Sequence, residues 1–233
     1  GSRGPRMGCT ARVVASNGGA LCTSLCRGDA VKVLVLTNLF PSAYDPLRAA
    51  FNLQQFERLG QRHRVEVLTA VDFRDRLKGV QGTFETEQVT ATHFIFVYPP
   101  RIGRSLHALF WLASLFVQQG LRLRRARYDC LLSSWAFPDG VAASWFARML
   151  GIPYAIKVHG SDLNVQATYA LRRRQIASAF RHDGAVVAVS AALAGKAVEL
   201  GADPARVHVV YNGVDPVLFQ PGSRSSALRH LGL

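Results

Sequence analysis

Residues 184–212 read GAVVAVSAALAGKAVELGADPARVHVVYN, and their pattern decides how the chain is built. GAVVAVS (184–190) is a short β-branched apolar run, as expected of a strand buried on both faces. Ser190 ends it and suits the N-cap of a helix over 191–200. The region of Gly201 stops that helix, RVHVVYN (206–212) forms the next strand, and Asn212–Gly213 is a turn signal. A strand, a helix and a second strand make a right-handed crossover between parallel neighbours. Read plainly, this is only strand, helix, strand and turn.

The same rhythm runs back along the chain. VKVLVL (31–36), HRVEVLTA (63–70), THFIFVY (92–98), YDCLLSS (128–134) and PYAIKV (153–158) read as further strands. Helical patterns lie between them over Leu47–Leu59, 103–124, Asp139–Leu150 and about 165–182. About seven strands alternating with helices predict one α/β domain: a doubly wound, mostly parallel Rossmann-like sheet with helices on both faces. Residues 1–29 lack any period and are rich in Gly, Ser, Ala and Arg; they read as a disordered leader or expression remnant.

Composition bounds the function. The chain has 233 residues and is 49% hydrophobic, enough for one sizeable core. Its longest apolar stretch, HALFWLASLFV (107–117), is too short to span a bilayer and suits a buried helix. Four cysteines make neither a disulfide framework nor, without nearby partners, a zinc site, and a reducing cytosol fits them best. The formal charge of +13 attracts polyanions such as nucleotide phosphates or anionic lipid, or reflects solvated arginine-rich surfaces. No nucleic-acid reading motif accompanies it, so no nucleic-acid partner is expected.

In open α/β sheets ligands bind beyond the carboxyl ends of the strands, which ranks the loops. TNLFPSAYDPLRAAFN (37–52) follows the first strand but carries neither a dinucleotide glycine fingerprint nor a P-loop. KVHGSDLN (157–164) follows another. It is either an ordinary strand-to-helix turn with Ser161 or Asp162 as cap, or a ligand site with His159 in the cleft. Gly160 there permits an unusual φ or a close approach.

Together, KVHGSDLN, VSAALAGKAVELGADPARVHVVYNGVDPVLF (189–219) and FPSAYDPLRAAFN (40–52) resemble the N-terminal half of a family 4 glycosyltransferase. Such enzymes are retaining and of GT-B architecture, two Rossmann-like lobes facing across a cleft. The resemblance implies that this lobe, 30–220, holds the acceptor. A nucleotide-sugar would sit mainly on a C-terminal lobe that is absent here, with 221–233 beginning the linker. His159 would be catalytic, reaching toward the donor sugar, with Gly160, Ser161 and Asp162 shaping its turn. Phe40, Pro41 and Ser42 would open the acceptor and phosphate loop. Ser190 would be a substrate-binding residue, and so would Asn212, Gly213 and Asp215, which would help shape the interdomain edge.

Further expectations follow from the resemblance. The chain would transfer sugar to a glycan or lipid-linked acceptor at the cytoplasmic face of the membrane, and this fragment alone would be inactive. The sequence has no D-x-D, so neither a metal nor another cofactor is expected. The helix around 103–127, with Phe110, Trp111 and Phe116 beside four arginines, would either pack on the sheet or touch anionic lipid. Ala49 and Ala50 stand where the family often has glycine, and alanine disfavours the positive φ that a glycine would allow. The rival readings are a charge-driven polyanion- or membrane-binding module and a nucleotide-sugar epimerase of the same architecture.

Overall fold

The computed structural model describes residues 30–42, 45–77, 83–99, 103–214, 216, 219 and 221–232. The expected leader over 1–29 and the expected site residue Asp215 lie outside the described residues. One sheet contains β1 (Lys32–Thr37), β2 (Arg64–Asp72), β3 (Thr83–Glu85), β4 (Val89–Phe96), β5 (Cys130–Ser134), β6 (Tyr154–Val158), β7 (Ala185–Ala188) and β8 (Val207–Val209). Their order is β3-β4-β2-β1-β5-β6-β7-β8. All neighbours are parallel except β3, which lies antiparallel on β4 at the edge. The eighth strand is β3, whose three residues are too few to show a strand period in sequence.

The helices are α1 (Ala50–Gly60), α2 (Phe73–Leu77), α3 (His107–Ala126), α4 (Val141–Leu150), α5 (Ser161–Asn164), α6 (Ala170–Arg181), α7 (Ala191–Glu199) and α8 (Arg224–His230). The helix expected over 165–182 is thus broken: α5, a 3₁₀ turn at Gln166–Thr168, then α6. The run in β1 is apolar throughout because both its faces are covered. Leu34 and Leu36 join the core of Trp111, Leu115, Phe146 and Phe180 from α3, α4 and α6. Val33 and Val35 join the core of Phe40 and Phe56 on the α1 side. Trp111 is fully buried, its ring set edge-on to Phe94 at 4.9 Å. Of the two readings given for this helix, Trp111 follows the first: α3 packs on the sheet through this residue.

Strand order reverses between β1 and β5. The chain leaves β1 toward β2 and β4, then returns across the sheet through α3 to β5. The carboxyl ends of β1 and β5 therefore flank a topological switch point, where such sheets bind ligands. Thr37 Oγ1 spans the two ends by donating to the Ser134 carbonyl at 3.1 Å.

Two buried carboxyls organise the loops above that point. Asp162 Oδ1 accepts from the amides of His159, Gly160 and Leu163 at 3.1, 2.7 and 3.1 Å. Its Oδ2 accepts from Ala136 in the β5–α4 loop at 3.1 Å. Burial pushes this carboxyl upward while the amide bonds pull it back. The expected N-cap role is corrected: Gly160 occupies the N-cap of α5, and no side chain caps it. Asp162 instead sits inside the first turn and binds two loops together. Asp139, fully buried, accepts from the Asn38 amide at 2.6 Å, and burial drives its carboxyl up to about 8.

Ala49 stands at the N-cap of α1 with φ 50 and ψ 45, a left-handed conformation. The alanine therefore adopts the backbone that a glycine would prefer, at a cost of about 1–2 kcal/mol. Ala49→Gly should raise stability in urea unfolding by about 0.5–1 kcal/mol, since glycine removes the strain but loses more chain entropy on folding. A lower unfolding midpoint would contradict the assignment. For Asp139 the folded value near 8 lies above the unfolded 3.8, so the folded state holds a proton that the unfolded chain releases. Wild-type stability should then fall as pH rises from 4 through 8, while Asp139→Asn escapes this loss. The variant's advantage should grow across that window and level off above it; parallel profiles would refute the buried proton.

Candidate active site

β6 ends at Val158, and Lys157 within it and His159 just after it both reach toward residues of α1 and β5. His159 Nε2 lies 2.8 Å from the hydroxyl of Ser134, which ends β5. Ser134 donates to Asn52 Oδ1 at 2.8 Å, and Asn52 Nδ2 donates to the Leu39 carbonyl at 2.8 Å. The imidazole has two aromatic neighbours: Phe51 of α1 at 5.1 Å, tilted at 51°, and Trp135 at 6.0 Å, nearly parallel at 26°. Burial, and then the charge of Lys157, lower the His159 pKa to about 4, so the ring is neutral at physiological pH.

Gly160 turns the chain away from the histidine with φ 135, a conformation that L side chains rarely adopt. A Cβ built there would meet nothing within 4 Å. Glycine is thus favoured by the backbone, and the space where its side chain would stand is open.

Lys157 is buried, and its ammonium donates to Gln55 Oε1 of α1 and to Asn212 Oδ1, the latter at 2.9 Å. Gln55 closes the triangle by donating to Asn212 Oδ1 at 2.8 Å. Burial lowers the lysine pKa to about 8. This cluster explains why β8 stops after Val209 when a strand to 212 is expected. The chain leaves the sheet and brings the Asn212 side chain back over β6.

The residues expected from sequence divide. His159, Gly160 and Asp162 come together at the carboxyl edge, and Asn212 lies beside them through Lys157. Gly213 lines a neighbouring cleft of about 790 Å³ between α1, the β3–β4 turn and the segment after Asn212. Ser161 is exposed at the start of α5. Ser190 caps α7, accepting from Leu193 N at 3.3 Å.

Phe40, Pro41 and Ser42 require correction, because all three are buried. Phe40 stacks on Phe56 in the core, and Ser42 Oγ accepts from Asp45 N at 3.1 Å, closing a turn. They support the loop from below and do not line the opening.

Sequence reasoning missed Asn52, Gln55, Ser134, Asp139 and Lys157. The available signal was polar residues at strand ends and on a helix otherwise aimed at the sheet. Among the described residues, no group of three or more His, Cys, Asp or Glu side chains is placed to hold a metal ion. None of their helices is long and apolar enough to cross a membrane.

Comparison with known proteins bears on the family and the fold. The putative teichuronic acid biosynthesis glycosyltransferase TuaC of Bacillus subtilis is 26% identical over 154 residues, covering 60% of this chain and 39% of TuaC. Anabaena Alr3699/HepE, solved with UDP and glucose, superposes with a TM-score of 0.57 at 18% identity, over 87% of this chain and 50% of its own. Sucrose-phosphate synthase from Thermosynechococcus elongatus gives 0.62 at 12% identity, over 86% and 52%. The chain thus spans about half the length of the solved structures it matches. The sequence profile of Glycosyltransferase Family 4 matches residues 6–218, nearly the whole chain, and the chain belongs to that family.

Proposed function

We propose that this chain is the acceptor-side lobe of a retaining glycosyltransferase. The protein carrying it moves a sugar from a nucleotide-sugar to a glycan or lipid-linked acceptor. One observation carries the reading: a neutral histidine with two aromatic neighbours, followed by a glycine turn, at the carboxyl edge of the sheet and hydrogen-bonded to the end of β5 beside the switch point. A neutral imidazole can exchange hydrogen bonds with sugar hydroxyls without placing a cation beside them. Family membership favours transfer over epimerisation.

In this reading the companion lobe contributes most contacts to the nucleotide. The match to half of each solved relative supports such a lobe, as does the exposure of Val210, Tyr211, Val214 and Phe219 in the outgoing segment. The chemistry rests on positioning the acceptor hydroxyl for same-face attack and on stabilising the departing diphosphate, with no obligatory divalent metal.

A lipid-linked acceptor gives α3 a second task. Its inner face holds Trp111, yet its outer face exposes Leu109, Phe116, Val117 and Leu121, followed by Arg124, Arg125 and Arg127. An apolar stripe leading into arginines suits the cytoplasmic surface of an anionic membrane.

In the full-length protein, His159→Ala should lower turnover at least about tenfold, roughly 1.4 kcal/mol, without shifting the unfolding midpoint. Unchanged turnover would remove the histidine from the mechanism. Because the ring is already neutral, turnover should show no inflection from His159 between pH 5 and pH 7. An inflection near 6.5 that His159→Ala abolishes would contradict the neutral form.

For the membrane face, the protein should co-sediment with phosphatidylglycerol vesicles and weakly with neutral ones. Val117→Glu with Leu121→Glu should cut that binding about tenfold, roughly 1.4 kcal/mol. Equal binding to both vesicle types, or no effect of the pair, would refute it.

A further inference from the structure

The hydrogen bonds beneath His159 admit only one arrangement of protons. Asn52 is completely buried, and its amide nitrogen must be the group facing the Leu39 carbonyl, because a carbonyl only accepts. That choice turns Asn52 Oδ1 toward Ser134 Oγ, 2.8 Å away. An amide oxygen has no proton to give, so the serine must donate. A hydroxyl has a single proton, and this bond uses it. Ser134 Oγ can then only accept from His159 Nε2, at 2.8 Å. Nε2 must carry a hydrogen, and in a neutral ring Nδ1 is left with a bare lone pair. No hydrogen bond to Nδ1 occurs among the described residues, whereas Nε2 faces inward to the fully buried Ser134.

We infer that Ser134 and Asn52 are positioning residues for His159. Through the relay Leu39 carbonyl, Asn52 amide, Ser134 hydroxyl and Nε2–H, they fix the ring as the Nε2-protonated tautomer. The histidine meets its ligand through Nδ1 as a hydrogen-bond acceptor. The class of group it selects is therefore a donor, a sugar hydroxyl, and a carbonyl or carboxylate oxygen at that position is rejected. The inference rests on the proposed role of His159 in sugar transfer. It adds which nitrogen acts, in which direction, and which residues enforce the choice.

The relay is anchored on three separate elements: the loop after β1, the first turn of α1 and the end of β5. It therefore also fixes where α1 sits over β6. Phe51 and Asn52 are consecutive on that helix, one neighbouring the imidazole at 5.1 Å and the other governing its proton.

Long-range proton–nitrogen NMR of imidazole-labelled protein at pH 7 tests the relay directly. His159 should show a protonated Nε2 and a bare Nδ1. A bare Nε2, or a doubly protonated ring, would overturn the inference. Asn52→Leu keeps the approximate shape but removes the acceptor, freeing the Ser134 proton to point at the histidine. The population protonated on Nδ1 should then rise several-fold, and kcat of the full-length protein should fall about tenfold. If Asn52→Leu folds and the tautomer does not move, Asn52 does not govern it and the relay fails. If the variant does not fold, the wild-type spectrum still decides. A wild type protonated on Nε2 whose His159→Ala variant transfers normally would refute the catalytic reading while leaving the proton arrangement standing.

Discussion

The carboxylate of Asp162 is the constraint on which the site depends. It is buried and collects the amides of His159, Gly160, Leu163 and Ala136. Three belong to the turn after β6 and one to the loop after β5. One side chain thus folds a tight turn and fastens it to its neighbour. Removing it would leave the amides of His159, Gly160 and Ala136 without an acceptor, each costing about 1–3 kcal/mol where water cannot replace it, while Leu163 N keeps its bond to the Gly160 carbonyl. The position of the imidazole follows: the His159 amide is held by Asp162, its Nε2 by Ser134, and Phe51 and Trp135 lie beside the ring. A glycine is favoured between histidine and aspartate because the chain doubles back onto the carboxylate with φ 135.

Much of the architecture was legible in the sequence. Strands buried on both faces read as continuous apolar runs, and β1 does so because Leu34 and Val35 face different cores. The KVHGSDLN stretch announced itself through the unusual company of histidine, glycine and aspartate. Its supporting residues did not, because their contacts are distant: Gln55 meets Asn212 across 157 positions and Ser134 meets Asn52 across 82. No local pattern encodes such pairs. Phe40, Pro41 and Ser42 were misplaced for a related reason. A loop of aromatic, proline and serine residues has the same composition whether its side chains turn into the core or out toward a ligand. Asp162 was read as a cap because acids favour helix starts, yet competition for four loop amides outweighs one cap.

Polar residues of α1 link the fold to the chemistry. A helix covering a parallel sheet is expected to press apolar side chains against it, and Phe56 does so. One turn earlier the same face presents Asn52, and Gln55 directly precedes Phe56; the two engage Ser134 and Lys157 at the strand ends. Buried amides and a buried ammonium are costly unless paired, so these contacts fix the helix in one register. The chain accepts a left-handed alanine at position 49 to start the helix there. Strain of that kind concentrates at functional edges. Beyond it, Asn212 ties the chain leaving β8 to the same lysine, which places this segment beside the proposed reaction centre.

The central claim is that the edge occupied by His159 faces the sugar being transferred. The most direct measurement is a crystal structure of the full-length protein with a nucleotide-sugar that supports turnover. A hydroxyl of the transferred sugar should lie within about 2.6–3.2 Å of His159 Nδ1, on the open side of Gly160. A sugar bound at another edge of the sheet, with His159 still beside Phe51 and Trp135 and touching nothing of the ligand, would contradict the account.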